Sequence, residues 1–498
     1  MERVALSESE REFFGLVARA AVANPFSEER RRLDLEVGQL RSGTSWEEAV
    51  DASIARVKAK LKGLECPKLD AYAPLDRRSL ELAILFDVFH DFGPEMDALV
   101  QRQLKAGAAN VDVPFADAML SRLNSHGVAE ALAQRWLCLL FQMRRAYFFI
   151  RTRLVGTSEC MQELRQRIWA NIFTQDLSLY EERLWNRMED FSTFLVGETG
   201  TGKGTAAAAL GYSGWLPFDA RSNRFERSFT ESFVPINLSQ FPPSLIESEL
   251  FGHRKGAFTG AIDDFPGVFG RCHQQGVIFL DEIGEVELNV QVKLLRVIQE
   301  RVYSPVGSRQ NRRFEGRVVA ATNQSVEELR REGKFRDDLY YRLCSDIIEI
   351  PPLRLRLRQD PAELQSLLTH IVEQMVGSAP EIVDVVRTVI DEQLPRNYPW
   401  PGNVRELEQC VRRVVMAREY KGDRTVLAAS QGDSMKALYG QMDAEEIEAR
   451  EVMARYCQIL YARHENYQEV ARLTGLDRRT VTRYVQDRAE TPAKGRGK

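Results

Sequence analysis

Residues 194–210 read FLVGETGTGKGTAAAAL: an apolar end, a glycine-rich loop closing on Lys203, and an alanine-rich run. The apolar stretch Phe191–Val196 predicts a buried strand, and Thr205–Leu210 predicts a helix. Between them, Gly197, Glu198, Thr199, Gly200, Thr201, Gly202 and Lys203 form a loop whose glycines let backbone N–H groups turn inward onto phosphate oxygens. The start of the following helix adds a favourable dipole, and Lys203 adds a point charge. Strand, loop, lysine and helix in this order point to a nucleotide phosphate site rather than a ligand-free turn. Such loops usually carry Ser or Thr after the lysine to hold Mg²⁺. This chain has Gly204 there, and the next hydroxyl is on Thr205.

Farther along, Val277–Glu282 reads VIFLDE. Four apolar residues predict a buried strand with two acids at its carboxyl end. In that position Asp281 suits a divalent cation, directly or through water, and Glu282 suits a general base polarising a water. Val318–Asn323 reads VVAATN, a second buried strand ending in polar residues. From 191 to 350 apolar runs alternate with helical patterns, the signature of a parallel α/β sheet. Pro351-Pro352 closes this unit, a helical stretch follows over 353–420, and Gly422, Ser430, Gly432 and Gly440 mark 421–442 as a linker. Asp443 with Glu446 predicts a capped helix leading into a small C-terminal unit.

That last unit holds two helical patterns, Tyr467–Leu473 and Asp477–Gln486, around Thr474-Gly475-Leu476. Ala471, Gly475, Leu476, Val481 and Val485 supply the packing positions of a helix-turn-helix. The chain as a whole is nearly balanced in charge, with 68 Lys/Arg against 72 Asp/Glu, so any DNA contact must be local. Residues 471–498 hold eight basic residues, among them Arg488, Lys494, Arg496 and Lys498, against three acids.

At 498 residues, three or four domains are expected. Seven scattered cysteines form no C-x-x-C pair, and six histidines show no metal spacing, which fits reduced thiols and no zinc site. The N-terminus is too charged for a signal peptide. The apolar run near Trp136–Phe141 is cut by Arg144 and Arg145, far short of a membrane span. These features predict a soluble cytoplasmic protein with no membrane partner. Residues 1–150 show helical periodicity, with Ser45 and Glu48 as a capping box, and no motif that carries chemistry.

Between the phosphate loop and the acidic strand, Gly256, Ala257, Phe258, Thr259, Gly260 and Ala261 spell GAFTGA. The two glycines permit a tight excursion with Phe258 and Thr259 at its tip. This hexapeptide, in this place, resembles the central domain of bacterial enhancer-binding proteins, the AAA+ activators of sigma-54 RNA polymerase. Leu154–Ser158 with Met161 resembles the opening of that core, and residues 171–190 look like an insertion relative to it. The resemblance implies that Asn237, in VPINLSQ, binds the catalytic Glu282 according to nucleotide state, and that Asn323 senses the attacking water or γ-phosphate. It implies that Arg336 and Arg342, in GKFRDDLYYRL, reach the nucleotide of the next subunit as arginine fingers, and that Arg405, in WPGNVREL, reads the phosphates in cis. The family usually has an acid where Arg254 stands. The C-terminal unit resembles a Fis-type helix-turn-helix, which would place Arg478, Arg479, Thr480, Thr482 and Arg483 against DNA.

The resulting expectation is a multidomain chain. It has a helical regulatory region over 1–150, an AAA+ α/β P-loop ATPase subdomain over 151–352 and a helical lid over 353–420. The linker spans 421–442, and an all-α helix-turn-helix DNA-binding domain spans 443–498. With ATP and Mg²⁺ it would act as a hexameric ring that binds double-stranded DNA at an upstream enhancer and remodels the sigma-54 RNA polymerase holoenzyme through the GAFTGA loop. The alternative is a non-enzymatic, ATP-gated DNA-binding regulator.

Overall fold

Elementary strand and helix signals shape the computed structural model, which describes residues 4–423, 438–439, 442, 447–464 and 466–486. Most of the expected linker lies outside the described residues, as do Asp443, Glu446, Arg488, Lys494, Arg496 and Lys498. Residues 1–375 with 402–405 form one compact unit, and 376–401 with 406–498 form a second.

The first unit opens with seven helices: α1 (Glu8–Val22), α2 (Glu28–Gly38), α3 (Trp46–Lys62), α4 (Pro74–Asp91), α5 (Gly93–Ala106), α6 (Ala116–Ser125) and α7 (Glu130–Arg153). Their starts follow side-chain chemistry. Ser7 with Glu10 and Ser45 with Glu48 close reciprocal capping boxes on α1 and α3, and Pro74 occupies the first turn of α4, where no N–H is missed. Then α8 (Glu159–Phe173) runs into the 171–190 segment. There Tyr180 is buried with its hydroxyl paired to Gln142 of α7, and Glu181 accepts from Arg135 and Trp136. The segment is thus a brace for α7.

Five strands follow: β1 (Thr193–Val196), β2 (Phe233–Asn237), β3 (Val277–Asp281), β4 (Arg317–Thr322) and β5 (Asp346–Glu349). They lie in the order β2-β3-β4-β1-β5, all parallel, as the alternation of apolar runs and helical patterns predicts. Each strand is short, β1 and β3 are apolar almost throughout, and β4 is buried along its whole length, as expected for a sheet covered on both faces. Side chains alternate between faces with period two. Leu195 and Val319 point into one apolar cluster and Phe194 and Val318 into the other. The first cluster is continuous with α1–α8 and with α9 (Lys203–Gly211), so the N-terminal helices and the sheet share a core. The second is closed by the amphipathic helix Leu288–Glu300, through Val290, Leu294 and Val297.

The start of α8 is also anchored. The buried Glu363 carboxylate accepts from Thr157 and Ser158 and pairs with Arg356. In the second unit, Tyr398 and Tyr420 both donate to Glu406. Three further helices, Ala449–His464, Tyr467–Thr474 and Arg478–Gln486, pack around Cys457, Leu460, Val470 and Val481, with Gly475 at φ 70° turning the chain between the last two.

Candidate active site at the sheet's carboxyl edge

Parallel strands deliver their final residues to one edge, and ligands of such sheets sit beyond it. Here β1 ends at the phosphate loop and β3 at Asp281 and Glu282, while β4 leads into Asn323. Lys203 begins α9 and is buried; its ammonium donates to the loop's own carbonyls at Gly197 (2.8 Å) and Glu198 (3.2 Å). Burial lowers the Lys203 pKa, and the charges of Glu282 and Asp281 oppose that shift. Burial likewise raises both carboxyls, against the pull of Lys203. Three desolvated ionisable groups of mixed sign at one edge are what a phosphate–cation pair would compensate.

Asn237 and Asp281 are register partners on β2 and β3, and the Asn237 amide donates to Asp281 at 3.3 Å. The Asn237–Glu282 contact that the resemblance ties to nucleotide state is not made here. Glu282 sits in the left-handed region at φ 55°, which turns its side chain to the backbone N–H of Asn323 at 3.2 Å. A non-glycine residue held in that region stores local strain, a common trait of working sites. Asn323 also reaches the loop, donating to Thr199 Oγ1 at 2.8 Å. Thr201 is buried and donates to Glu198 O at 2.8 Å. Gly204 is exposed and Thr205 half-buried in the first turn of α9.

Residues 402–405 cross the loop. Val404 N donates to Gly200 O at 3.1 Å, and a Cβ on Gly200, at φ 79°, would meet Gly402 O at 2.2 Å. The Arg405 charge acts on both Lys203 and Asp281. Two groups here escaped sequence reading. Arg354 holds Glu198 with a two-point ion pair at 2.6 and 2.7 Å, which keeps that carboxyl below the usual range. Asn403 donates to Glu198 and to Thr199 O, both at 3.1 Å. Asn403 lies in the WPGNVREL motif beside Arg405, which was the available signal; Arg354, one of several arginines in LRLRLR, offered none.

Arg336 and Arg342 are not gathered with these groups. Arg336 pairs with Asp338 at 2.6 Å, and both arginines lie in the surface segment around the helix Asp337–Leu343, Arg342 being exposed. The 256–261 loop folds tightly on itself: Gly256 N donates to Ala261 O at 2.8 Å and Ala261 N to Phe258 O at 3.0 Å, with Gly256 and Gly260 at φ 80° and 102°. Its base is a bridge between His253 and Phe265, and Arg254 is ion-paired to Asp264. Phe258 is exposed and rests edge-on against His253. On the final helix Arg478, Arg479 and Arg483 are exposed, and Asp477 caps its start through Arg479 N and Thr480 N. Thr480 and Thr482 are half-buried and hold Asp477 and Arg478 O respectively. Among the described residues no cluster of three metal-ligand side chains occurs, and no helix is long and apolar enough to cross a membrane. Two carboxylates without a full protein cage suit Mg²⁺, which usually keeps waters and phosphate oxygens as its other ligands.

Residues 163–349 match the sigma-54 interaction domain, and residues 358–429 match the AAA+ ATPase lid domain. The chain is 39% identical over 261 residues to the DNA-binding transcriptional regulator NtrC of Azospirillum brasilense, covering 52% of this chain and 47% of that protein. It is 43% identical over 236 residues to the Nif-specific regulatory protein of Azotobacter vinelandii, covering 47% and 41%. With the regulatory protein AtoC of Escherichia coli (strain K12) the identity is 30% over 341 residues, covering 65% of this chain and 69% of that one. The chain spans about half the length of the first of these relatives.

Proposed function

This chain belongs to the family of sigma-54-dependent activators with an AAA+ core, and from that premise we propose that it is an ATP-hydrolysing transcriptional activator. It binds upstream DNA and remodels sigma-54 RNA polymerase closed complexes through residues 256–261. The observation that carries this reading is the convergence of Lys203, Asp281 and Glu282 at one edge of the parallel sheet, with Asn323 tied both to Glu282 and to the phosphate loop.

In this reading residues 197–205 cradle the phosphates of ATP, with Lys203 exchanging its two loop carbonyls for phosphate oxygens, and Arg405 reads the phosphates from the lid side. Asp281 holds Mg²⁺, which when bound neutralises developing phosphate charge. Glu282 orients and deprotonates the attacking water, and Asn323 holds it in register. Arg336 and Arg342 complete the site of a neighbouring subunit in a homo-oligomeric, hexameric ring; a guanidinium suits charge spread over phosphoryl oxygens. Arg478, Arg479, Thr480, Thr482 and Arg483 contact double-stranded DNA in a Fis-type helix-turn-helix over 443–498. The ATPase subdomain runs over 151–352 and the lid over 353–420, residues 421–442 link lid to DNA-binding domain, and residues 1–150 regulate. The protein works in the cytoplasm.

The test is Thr259→Ala. Thr259 offers no group that hydrolysis needs, so phosphate release should stay within a few-fold of the parent, a barrier change of about 1 kcal/mol or less. DNA binding should persist, while trapping of sigma-54 with an ATP transition-state mimic and transcription from a sigma-54 promoter should be lost. Normal activation by this variant would remove the loop from its role. Absence of ATP-dependent phosphate release by the parent protein would leave only an ATP-gated DNA-binding regulator.

A further inference from the structure

The N-terminal helices, with Trp169 and residues 177–181, line a partly open cavity of about 360 Å³ that the sheet-edge site does not use. Its walls are mainly rings and soft chains, among them Trp46, Phe86, Phe89, Met143, Tyr147 and Trp169. Cavities of about 150 Å³ already admit benzene, so this one has room for one or two rings with a small substituent.

Its polar groups narrow the occupant further. The indole N–H of Trp46 is buried without a hydrogen-bond partner, and an unpaired buried donor is costly until an acceptor meets it. His90 also lines the cavity, 3.5 Å from an Arg30 nitrogen. Burial first, then the charges of Arg30 and Arg144, pull its pKa down to about 3, so the ring is neutral at physiological pH. Four guanidiniums line the cavity and each is matched by a carboxylate: Arg30 by Asp34, Arg144 by Asp97, Arg78 by Glu181 and Arg151 by Glu47. With Glu47, Asp51 and Glu181 in the same lining, the four paired cations leave too little excess charge for a polyphosphate, and at most a single negative charge is matched.

The helix that forms one wall also holds the phosphate-loop helix. On α7, Met143, Arg144 and Tyr147 face the cavity. From adjacent positions on the same helix, Gln142 donates to Ser213 O at 2.9 Å, and the buried Arg145 donates to Tyr212 O and Gly214 O. Those carbonyls lie at the end of α9, whose first residue is Lys203.

We propose that this cavity is a small-molecule site for a one- or two-ring aromatic compound carrying a single acceptor, a carbonyl, phenol or carboxylate, that meets the Trp46 N–H. Occupancy is linked to nucleotide binding through α7. The cavity stands by itself, whereas the linkage rests on the nucleotide reading above.

The test titrates the full chain with 2-naphthoate, and with naphthalene as the acceptor-free probe, by calorimetry. Saturable binding of 2-naphthoate is expected. Trp46→Phe keeps the ring and removes the donor, so it should weaken 2-naphthoate about tenfold and leave naphthalene unchanged. Met143→Trp fills the space and should abolish both. No saturable binding of either probe up to its solubility, or binding untouched by Trp46→Phe, overturns the site. For the linkage, 2-naphthoate should change the affinity of a fluorescent ADP analogue, and ADP should change that of 2-naphthoate by the same factor. Unchanged affinities in both directions overturn the linkage. A protein that binds 2-naphthoate and no nucleotide contradicts the ATPase reading and leaves the cavity intact.

Discussion

Arg145 donates to the carbonyls of both Tyr212 and Gly214, each at 2.7 Å, with its side chain wholly buried. The last carbonyls of a helix lack intrahelical donors; Tyr212 is the C-cap of the helix that begins at Lys203 and Gly214 lies just beyond it, so a residue far upstream holds the end of that helix. Burial pulls the guanidinium down to about 9, still charged at neutral pH. Arg145→Met strands two carbonyls and removes a buried charge. Each stranded carbonyl costs about 1–3 kcal/mol, and relief of the charge offsets part, so a net loss of roughly 2 kcal/mol is expected. Urea unfolding followed by circular dichroism measures it; an unchanged midpoint would show that water replaces both donors.

Glu282 should govern turnover more than binding. Glu282→Gln is expected to bind ATP and to lose at least ~10²-fold in phosphate release. Burial raises the Glu282 carboxyl above the ordinary glutamate range. A raised acid keeps its proton to higher pH, so the base form, and with it kcat/KM, should appear on an ascending limb displaced upward from pH 4.5. The same raised pKa favours the fold at low pH and is a stability loss as pH rises through it. A flat acid limb in the parent, or wild-type turnover in the variant, would remove Glu282 from the base role.

Arg336 and Lys203 should complement each other between subunits. Arg336→Ala and Lys203→Ala proteins should each hydrolyse ATP poorly, and mixing them should regenerate interfaces that carry both groups. ATPase activity of the mixture should exceed the sum of the parents. Strict additivity over a range of mixing ratios would place both groups in one subunit or in neither site.

Two glycines in the phosphate loop allow a controlled comparison. Both have positive φ, 79° at Gly200 and 107° at Gly202, so alanine strains the backbone at either, by roughly 1–2 kcal/mol. Only at Gly200 does the added carbon strike a neighbour, Gly402 O; at Gly202 nothing lies within 4 Å. Gly200→Ala should therefore weaken ADP binding more than Gly202→Ala, read by fluorescent-nucleotide titration. Equal losses would mean that residues 402–405 yield without cost.

The sheet and its edge were legible because phosphate chemistry demands particular residues at particular strand ends. Lys203, Asp281, Glu282 and Asn323 meet where their strands deliver them. The Asn237–Asp281 contact was not legible, and nothing in DE forecasts the left-handed φ of Glu282. The role of α7 was half visible. Arg144 and Arg145 were read only as interruptions of an apolar run, yet adjacent positions on a helix face differently. One lines a cavity and the other holds the end of a distant helix. A cavity is a property of packing among α1, α2, α3, α4, α5, α7 and α8, and no single segment records it.

The shared core also sets a timetable for synthesis. Gly214 lies 69 residues after Arg145, and the hydroxyl of Tyr180 meets Gln142 across 38. At ~5–20 residues per second, translation leaves Arg145 waiting roughly 3–14 s for its acceptors, with Phe141 and Phe149 exposed beside it. Until β1 and α9 emerge from the ribosome, the first helices form a nascent chain with an unfilled apolar face, a natural client for a chaperone that binds polypeptides during elongation.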